Sequence, residues 1–287
     1  MRWKNRHRSS TIEDRRGMMP RDGRGRRKLG IGIGTIAITL AVLYFAIDPT
    51  SLLQSATTPQ ATQQSGPTGA PQADPLAEFV AVVVADTHDV WTELFRSGGL
   101  PLYQKPKLVL FSGSVRSACG IASAAVGPFY CPADSQVYID LEFFQDLQTR
   151  FGAPGDFAQA YVIAHEVAHH VQNLIGISKN VQRLQRQANK IGANALSVRN
   201  ELQADCLSGI WAHHADRAKQ ILQRGDIEVA LNAATAIGDD RLQKQATDHV
   251  TPDSFTHGTS DQRVRWFKTG FESGDINSCD TFEAKQL

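Results

Sequence analysis

The segment Tyr161-Val162-Ile163-Ala164-His165-Glu166-Val167-Ala168-His169-His170 constrains this chain more than any other. Residues four apart lie just over one helical turn apart on one face, so His165 and His169 can both reach a single Zn²⁺. Glu166 is turned to the side, within reach of a water on that ion. Val162, Ile163, Val167, Ala168 and Val171 are apolar, which places the helix in the core. A chance His-Glu-x-x-His is expected in about one chain of this length in a hundred.

A catalytic zinc centre usually takes three protein ligands and keeps one position for water. A third histidine close behind, in the pattern His-x-x-Gly-x-x-His, is absent, because Val171 to Lys179 holds no histidine. A later helical stretch carries Asn200-Glu201-Leu202-Gln203-Ala204-Asp205 instead. Glu201 is well placed as third ligand. Asp205, one turn on, can accept a hydrogen bond from the second nitrogen of a ligand histidine, which fixes the tautomer. Two solvated helix carboxylates are the plain alternative, and the apolar neighbours Leu202, Ala204, Leu207, Ile210 and Trp211 argue against it. His170, His213 and His214 are read as structural or solvated.

Charge is spread unevenly. Residues 1–28 carry eleven Lys and Arg against Glu13, Asp14 and Asp22, about +8, whereas the whole chain sums to +1. Such asymmetry suggests a basic tail, with no nucleic-acid partner. Directly after Arg24, Arg26, Arg27 and Lys28, the uncharged run 29–47 is long enough to approach the thickness of a bilayer. The positive-inside tendency predicts a cytoplasmic tail (1–28), a transmembrane anchor (29–47) and an extracytoplasmic remainder. A cleaved signal peptide is the competing reading. Residues 48–74, rich in Pro, Gln, Thr, Ser and Ala, read as a flexible linker on the outer side. The folded domain is expected over 75–287.

Within that domain, apolar spacing predicts a helix over 76–97 that stops at Gly98-Gly99. Leu108–Phe111, Phe129-Tyr130 and Val137–Leu141 read as strands separated by turn residues. Asp156 is expected to cap the central helix, with Gln159 completing a capping box. Further helices are expected from Val181 to about Ala218 with a break near Gly192, from Ile227 with an interruption at Gly238, and over Arg263–Phe271. The fold class is therefore α+β, mostly helical, with a small antiparallel sheet whose edge could hold an extended peptide. No Cys-x-x-Cys pair occurs, so a separate structural zinc site is not expected. In an oxidising compartment the pairing would be Cys119 with Cys131 and Cys206 with Cys279, the alternative being four reduced core cysteines.

The combination of His-Glu-x-x-His with a later Glu-x-x-x-Asp resembles the gluzincin metallopeptidases. More closely, the chain resembles the neutral zinc metallopeptidase family of bacterial envelopes, over roughly Trp91 to Phe282. The stretches that carry this likeness are Ser117-Ala118-Cys119-Gly120, Gly127 to Pro132, Ala160 to Glu166, Glu201 to Cys206, Gly238-Asp239-Asp240-Arg241-Leu242 and Ser254-Phe255-Thr256-His257-Gly258. Ala168 departs from the glycine more usual there. Thr256-His257-Gly258, with Arg263 after it, is similar to the Thr-His-Pro segment of membrane-associated gluzincins, with Gly258 in place of proline.

The resemblance implies a zincin-like domain that binds Zn²⁺ and hydrolyses a protein or peptide substrate. Glu166 would accept the proton of the attacking water. Peptide hydrolysis also needs a donor for the developing oxyanion, a role open to His257, with Arg263 orienting it or binding substrate carbonyls. A surface histidine in a capping segment is the alternative for His257. A zinc-bound scaffold without turnover, or a cell-wall peptide amidase, would share the same metal ligands.

Overall fold

The computed structural model describes residues 1–17 and 74–287. The expected anchor (29–47) and all but the last residue of the expected linker lie outside the described residues. Among the described residues, no helix is long and apolar enough to cross a membrane.

Helix α1 (Pro75–Ser97) starts as its sequence dictates. Asp74 accepts hydrogen bonds from the backbone N–H groups of Leu76 and Ala77, and Pro75 occupies the first helical position, where no N–H is needed. Its buried stripe includes Phe79, Val83, Val90, Trp91 and Phe95.

A four-stranded sheet follows, built from β1 (Ile12–Asp14), β2 (Lys107–Phe111), β5 (Phe129–Cys131) and β6 (Gln136–Asp140) in the order β1-β2-β6-β5. Strands β1, β2 and β6 run parallel, and β5 alone pairs antiparallel. The expected antiparallel sheet is thus a mixed one. Between β2 and β6 the chain makes the hairpin β3 (Ser114–Ser117) and β4 (Gly120–Ser123), then β5, so it re-enters beside β2 in the same direction. That excursion is long enough for the crossover a parallel pair requires. Strand β5 is left at the edge, with β6 on one side only.

The tail expected to stand apart from the domain is built into it. Ile12, Glu13 and Asp14 pair with Leu108, Val109 and Leu110. Trp3 packs edge-on against Phe79 at 5.4 Å and donates to Asp156 at 2.9 Å. Arg6 binds the fully buried Asp86 at 2.6 Å, a carboxylate that Lys219 also meets at 2.9 Å. Arg8 pairs with Glu78, and Arg16 bridges Asp14 and Asp74 at 2.6 and 2.5 Å. Ion pairing to the domain thus employs the arginines whose excess suggested a free tail, and the folded unit begins well before Pro75.

The remainder is helical: α2 (Glu142–Thr149), α3 (Asp156–Leu174), α4 (Ile177–Gln185), α5 (Lys190–Lys219), α6 (Asp226–Ala236), α7 (Asp239–Thr247) and α8 (Ser260–Ser273). Asp156 is the first residue of α3 rather than its cap. Gly155 holds the cap position at φ +120°, and the Asp156 carboxylate meets Trp3. The break expected near Gly192 falls at 186–189, where Asn189 caps α5 through the N–H of Gly192. Helices α5 and α8 approach at Gly209 and Gly270 until their backbones touch. A β-carbon on Gly270 would stand 1.9 Å from the Cys206 carbonyl oxygen, and one on Gly209 would stand 2.1 Å from that of Phe267. Glycine is required there for space. The crossing brings α8 directly beneath the stretch that carries Glu201 and Asp205.

Both disulfides form as expected, Cys119 to Cys131 and Cys206 to Cys279. The first ties the β3–β4 hairpin to the edge strand. The second ties the C-terminal segment to α5.

Candidate metal centre

Helix α3 supplies two of the centre's side chains and α5 a third. The apolar face of α3 (Phe157, Ile163, Val167 and Val171) is fully or almost fully buried, which fixes the rotation of the helix and aims His165 and His169 together. Their Nε2 atoms face one carboxylate oxygen, Glu201 Oε2, at 3.1 and 3.4 Å. The three ligand atoms lie within 4.8 Å of one another, a grouping that could hold a metal ion. Two imidazoles and one carboxylate suit Zn²⁺, which takes nitrogen and oxygen donors readily.

With a metal ion on Nε2, each imidazole would carry its one proton on Nδ1. His165 Nδ1–H donates to Asp205 Oδ1 at 2.9 Å, and His169 Nδ1–H to Gln172 Oε1 at 2.8 Å. Asp205 has no exposed surface and is held from three sides. Tyr161 donates its hydroxyl to Oδ1 at 2.5 Å, while Arg263 donates to Oδ2 at 2.9 Å and to Oδ1 at 3.0 Å. Arg263 also donates to the Tyr161 hydroxyl oxygen at 3.1 Å. Every polar atom of this buried cluster has a partner of the right kind.

Charges at the site follow from burial opposed by close partners. Burial favours neutral His165, but the Asp205 carboxylate and Glu201 outweigh it and push its pKa up to about 10. Burial opposes charge on Glu201 as well, and the two histidines reverse that, holding the carboxyl well below its usual range. Burial raises Glu166 above the usual carboxylate range, and here the opposing pull of His169 and His165 does not prevail. Glu166 therefore combines a raised proton affinity with a place beside the ligand pair, as a general base requires.

His257 lies on the loop before α8, and its side chain is 51 % exposed. Asp239, the first residue of α7, organises that loop. Its Oδ2 accepts the backbone N–H groups of Thr256, His257 and Gly258 at 2.7, 2.6 and 3.1 Å, and its Oδ1 faces His257 Nδ1 at 3.3 Å. The neighbouring Asp240 takes the N–H and hydroxyl of Ser260 at 2.8 and 2.9 Å. His257 is near enough for its charge to lower the proton affinity of both Glu166 and Glu201. Gly258 sits at φ +92°, which proline, locked near −65°, cannot adopt. The likeness to Thr-His-Pro therefore does not extend to the backbone at this residue.

Two expectations need correction. Arg263 was expected to orient His257 or to meet substrate carbonyls. It is 2 % exposed and directed at Asp205 and Tyr161, and the carboxylate beside His257 is Asp239. The cap expected of Asp156 is the other. Sequence reasoning also missed Tyr161, Gln172 and Asp239 as supporting groups. A signal for Asp239 existed in the Gly238-Asp239-Asp240 stretch. Tyr161, one turn before His165 on the same face, could have been placed by periodicity.

Strand β5 packs on α3. Tyr130 on β5 donates to His170 Nδ1 at 3.0 Å and accepts from Asn173 at 3.0 Å, so the sheet edge is fastened to α3 beside His169. His170 is thereby structural, as are His213 and His214, which bond the carbonyls of Phe271 and Gly274.

A buried His-Glu-x-x-His helix and a carboxylate from a later helix thus form a centre that could hold a metal ion. The chain belongs to the family described as "Putative neutral zinc metallopeptidase", whose sequence profile matches residues 1–282. It is 49 % identical to the uncharacterized protein YpfJ of Escherichia coli K12, over 98 % of this chain and 99 % of that protein. It is also 48 % identical to the uncharacterized protein Rv2575 of Mycobacterium tuberculosis H37Rv, over 69 % of this chain and 68 % of that one. No solved structure matches it.

Proposed function

We propose that this protein is a zinc-dependent peptidase in which His165, His169 and Glu201 hold the metal and Glu166 is the general base. The convergence of those three ligand atoms within 4.8 Å beside a buried glutamate of raised proton affinity carries the reading. Zinc, when bound, lowers the pKa of water and polarises the scissile carbonyl. Glu166 accepts the proton of the attacking water and returns it to the leaving amine. Asp205 and Gln172 hold the ligand histidines in the tautomer that leaves Nε2 available. His257, set by Asp239, donates to the developing oxyanion. An extended peptide would pair with the free edge of β5 through main-chain hydrogen bonds.

A scaffold that only binds zinc would have no use for a buried Glu166 beside its ligands. Incubation with a peptide library and with purified peptidoglycan, each with and without chelator, tests the assignment. Chelator-sensitive peptide cleavage supports it. Release from peptidoglycan alone would make the protein a cell-wall amidase, and zinc binding without cleavage of either would make it a binding module.

The proposed location is the cell envelope, with the run 29–47 as the membrane attachment. Two disulfides support an oxidising surrounding for the domain. The cytoplasmic side proposed for the tail fits the sheet poorly. Arg16 and Asp74, on either side of the run, are 2.5 Å apart, and one crossing of about 30 Å of hydrocarbon would separate them. The reading therefore keeps residues 1–17 on the domain's own side.

A further inference from the structure

His169 is supported differently from His165. The acceptor for His165 is a carboxylate clamped by an arginine, whereas that for His169 is the neutral amide of Gln172. Gln172 has no exposed surface, so its remaining hydrogen bonds must be made within the protein. Its Nε2 donates to the Asn200 carbonyl at 2.7 Å and to Gln203 Oε1 at 3.0 Å. Gln203 in turn donates through Nε2 to the Cys279 carbonyl at 3.0 Å. Each amide accepts on the metal side and donates on the far side, so the chain of bonds from His169 runs in one direction without a mismatch. Bonds aligned in this way polarise one another.

The far end of this chain of bonds is fixed covalently. Cys279 is bonded to Cys206, five residues beyond Glu201 on α5. Farther along the C-terminal segment, Thr281 donates its hydroxyl to the Arg199 carbonyl at 2.6 Å, and the Arg199 guanidinium donates to the carbonyls of Thr281, Phe282 and Ala284. Gln203 and Cys279 border a cleft of about 380 Å³ although both are buried, and the disulfide and the Arg199 bonds add to the packing that holds this end of the relay.

We propose that Gln172 and Gln203 are positioning residues for the metal centre, and that the Cys206–Cys279 disulfide, by fixing the Cys279 carbonyl, sets how firmly His169 is held and hence how tightly the site binds zinc. The inference rests on the assignment of His165, His169 and Glu201 as ligands. It gives the C-terminal segment a part in metal retention.

The experiment is zinc affinity by competition with a chromophoric chelator on the purified full chain, alongside thermal unfolding and the absorption spectrum of the cobalt-substituted protein. Gln172→Leu should weaken zinc binding about 10- to 100-fold, the range for lost outer support of a ligand histidine. Gln172→Glu keeps an acceptor for His169 but loses both donations to α5, so it should lower the melting temperature and weaken zinc binding by less than Gln172→Leu does. A merely structural glutamine would make affinity follow stability in both variants. Gln203→Leu and the double change Cys206→Ser/Cys279→Ser should weaken zinc binding several-fold and alter the cobalt spectrum. Cys119→Ser/Cys131→Ser, which removes the other disulfide, should leave both unchanged. Parent-like affinity in Gln172→Leu, or equal losses on removing either disulfide, overturns the inference alone. A parent chain that binds no zinc overturns the ligand assignment and the inference together.

Discussion

Asp239 accepts the backbone N–H of His257 at 2.6 Å and faces its Nδ1 at 3.3 Å, so one carboxylate sets both the position and the charge of the histidine beside the metal centre. Partial burial lowers the proton affinity of the half-exposed His257, and the Asp239 hydrogen bond, together with the charges of Glu201 and Asp239, reverses this and leaves its pKa above 6.5. Burial, conversely, raises Glu166 above 4.5. If Glu166 acts deprotonated and His257 protonated, activity rises with pH through the first group and falls through the second. A bell-shaped profile of kcat/KM is expected. Asp239→Asn removes the carboxylate that raises His257, so the alkaline limb should move to lower pH while the acid limb stays. An unmoved alkaline limb would remove His257 from the proton inventory.

Arg263 and Asp205 form a buried pair, and removing one partner leaves the other as an uncompensated charge. Arg263→Leu should cost about 3–5 kcal/mol in unfolding free energy. It should also weaken zinc binding, because Asp205 would be freer to turn from His165. Urea denaturation checks the first effect and chelator competition the second. Near-parent stability would show that the buried network has an alternative partner for Asp205.

Gly270 has no space for a side chain, since its β-carbon would stand 1.9 Å from the Cys206 carbonyl oxygen. Gly270→Ala should push α8 from α5 and cost about 3 kcal/mol, the upper end for an overpacked core. Arg263 rides on α8, so zinc affinity should fall with it. Thermal unfolding of the variant is the check, and an unchanged melting temperature would contradict the contact.

The pairing of β1 with β2 predicts where the N-terminus lies. Exposed positions on the two segments, Ser10→Cys and Leu102→Cys, should react alike with a membrane-impermeant maleimide in intact cells. Labelling at 102 with protection at 10 would mean that the tail sits across the membrane and that β1 leaves the sheet in the cell.

Elements governed by local spacing could be read from the sequence. The period of α1, the histidine pair on α3 and the carboxylate pair Glu201 and Asp205 all depend on neighbours within a turn or two, and the structure brings His165, His169 and Glu201 together. Strand β1 could not be read, because Ile12-Glu13-Asp14 shows no apolar alternation and gains its place only by meeting β2, far along the chain. The parallel direction of β2 and β6 was equally hidden, since short apolar runs carry no sign of direction. The supporting groups failed to appear for a similar reason. Gln172 looks like any polar helix residue until α5 and the C-terminal segment close over it. Arg263 was assigned by its offset from His257, but its length and burial direct it to Asp205.

Replacement of the base tests the central claim most directly. Zinc content and peptide hydrolysis should be measured side by side for the parent chain and for Glu166→Gln. The amide keeps the shape of the site but cannot take the proton, so zinc should remain bound while hydrolysis falls about 10²- to 10⁴-fold. Parent-like hydrolysis by a zinc-loaded Glu166→Gln variant would contradict the mechanism.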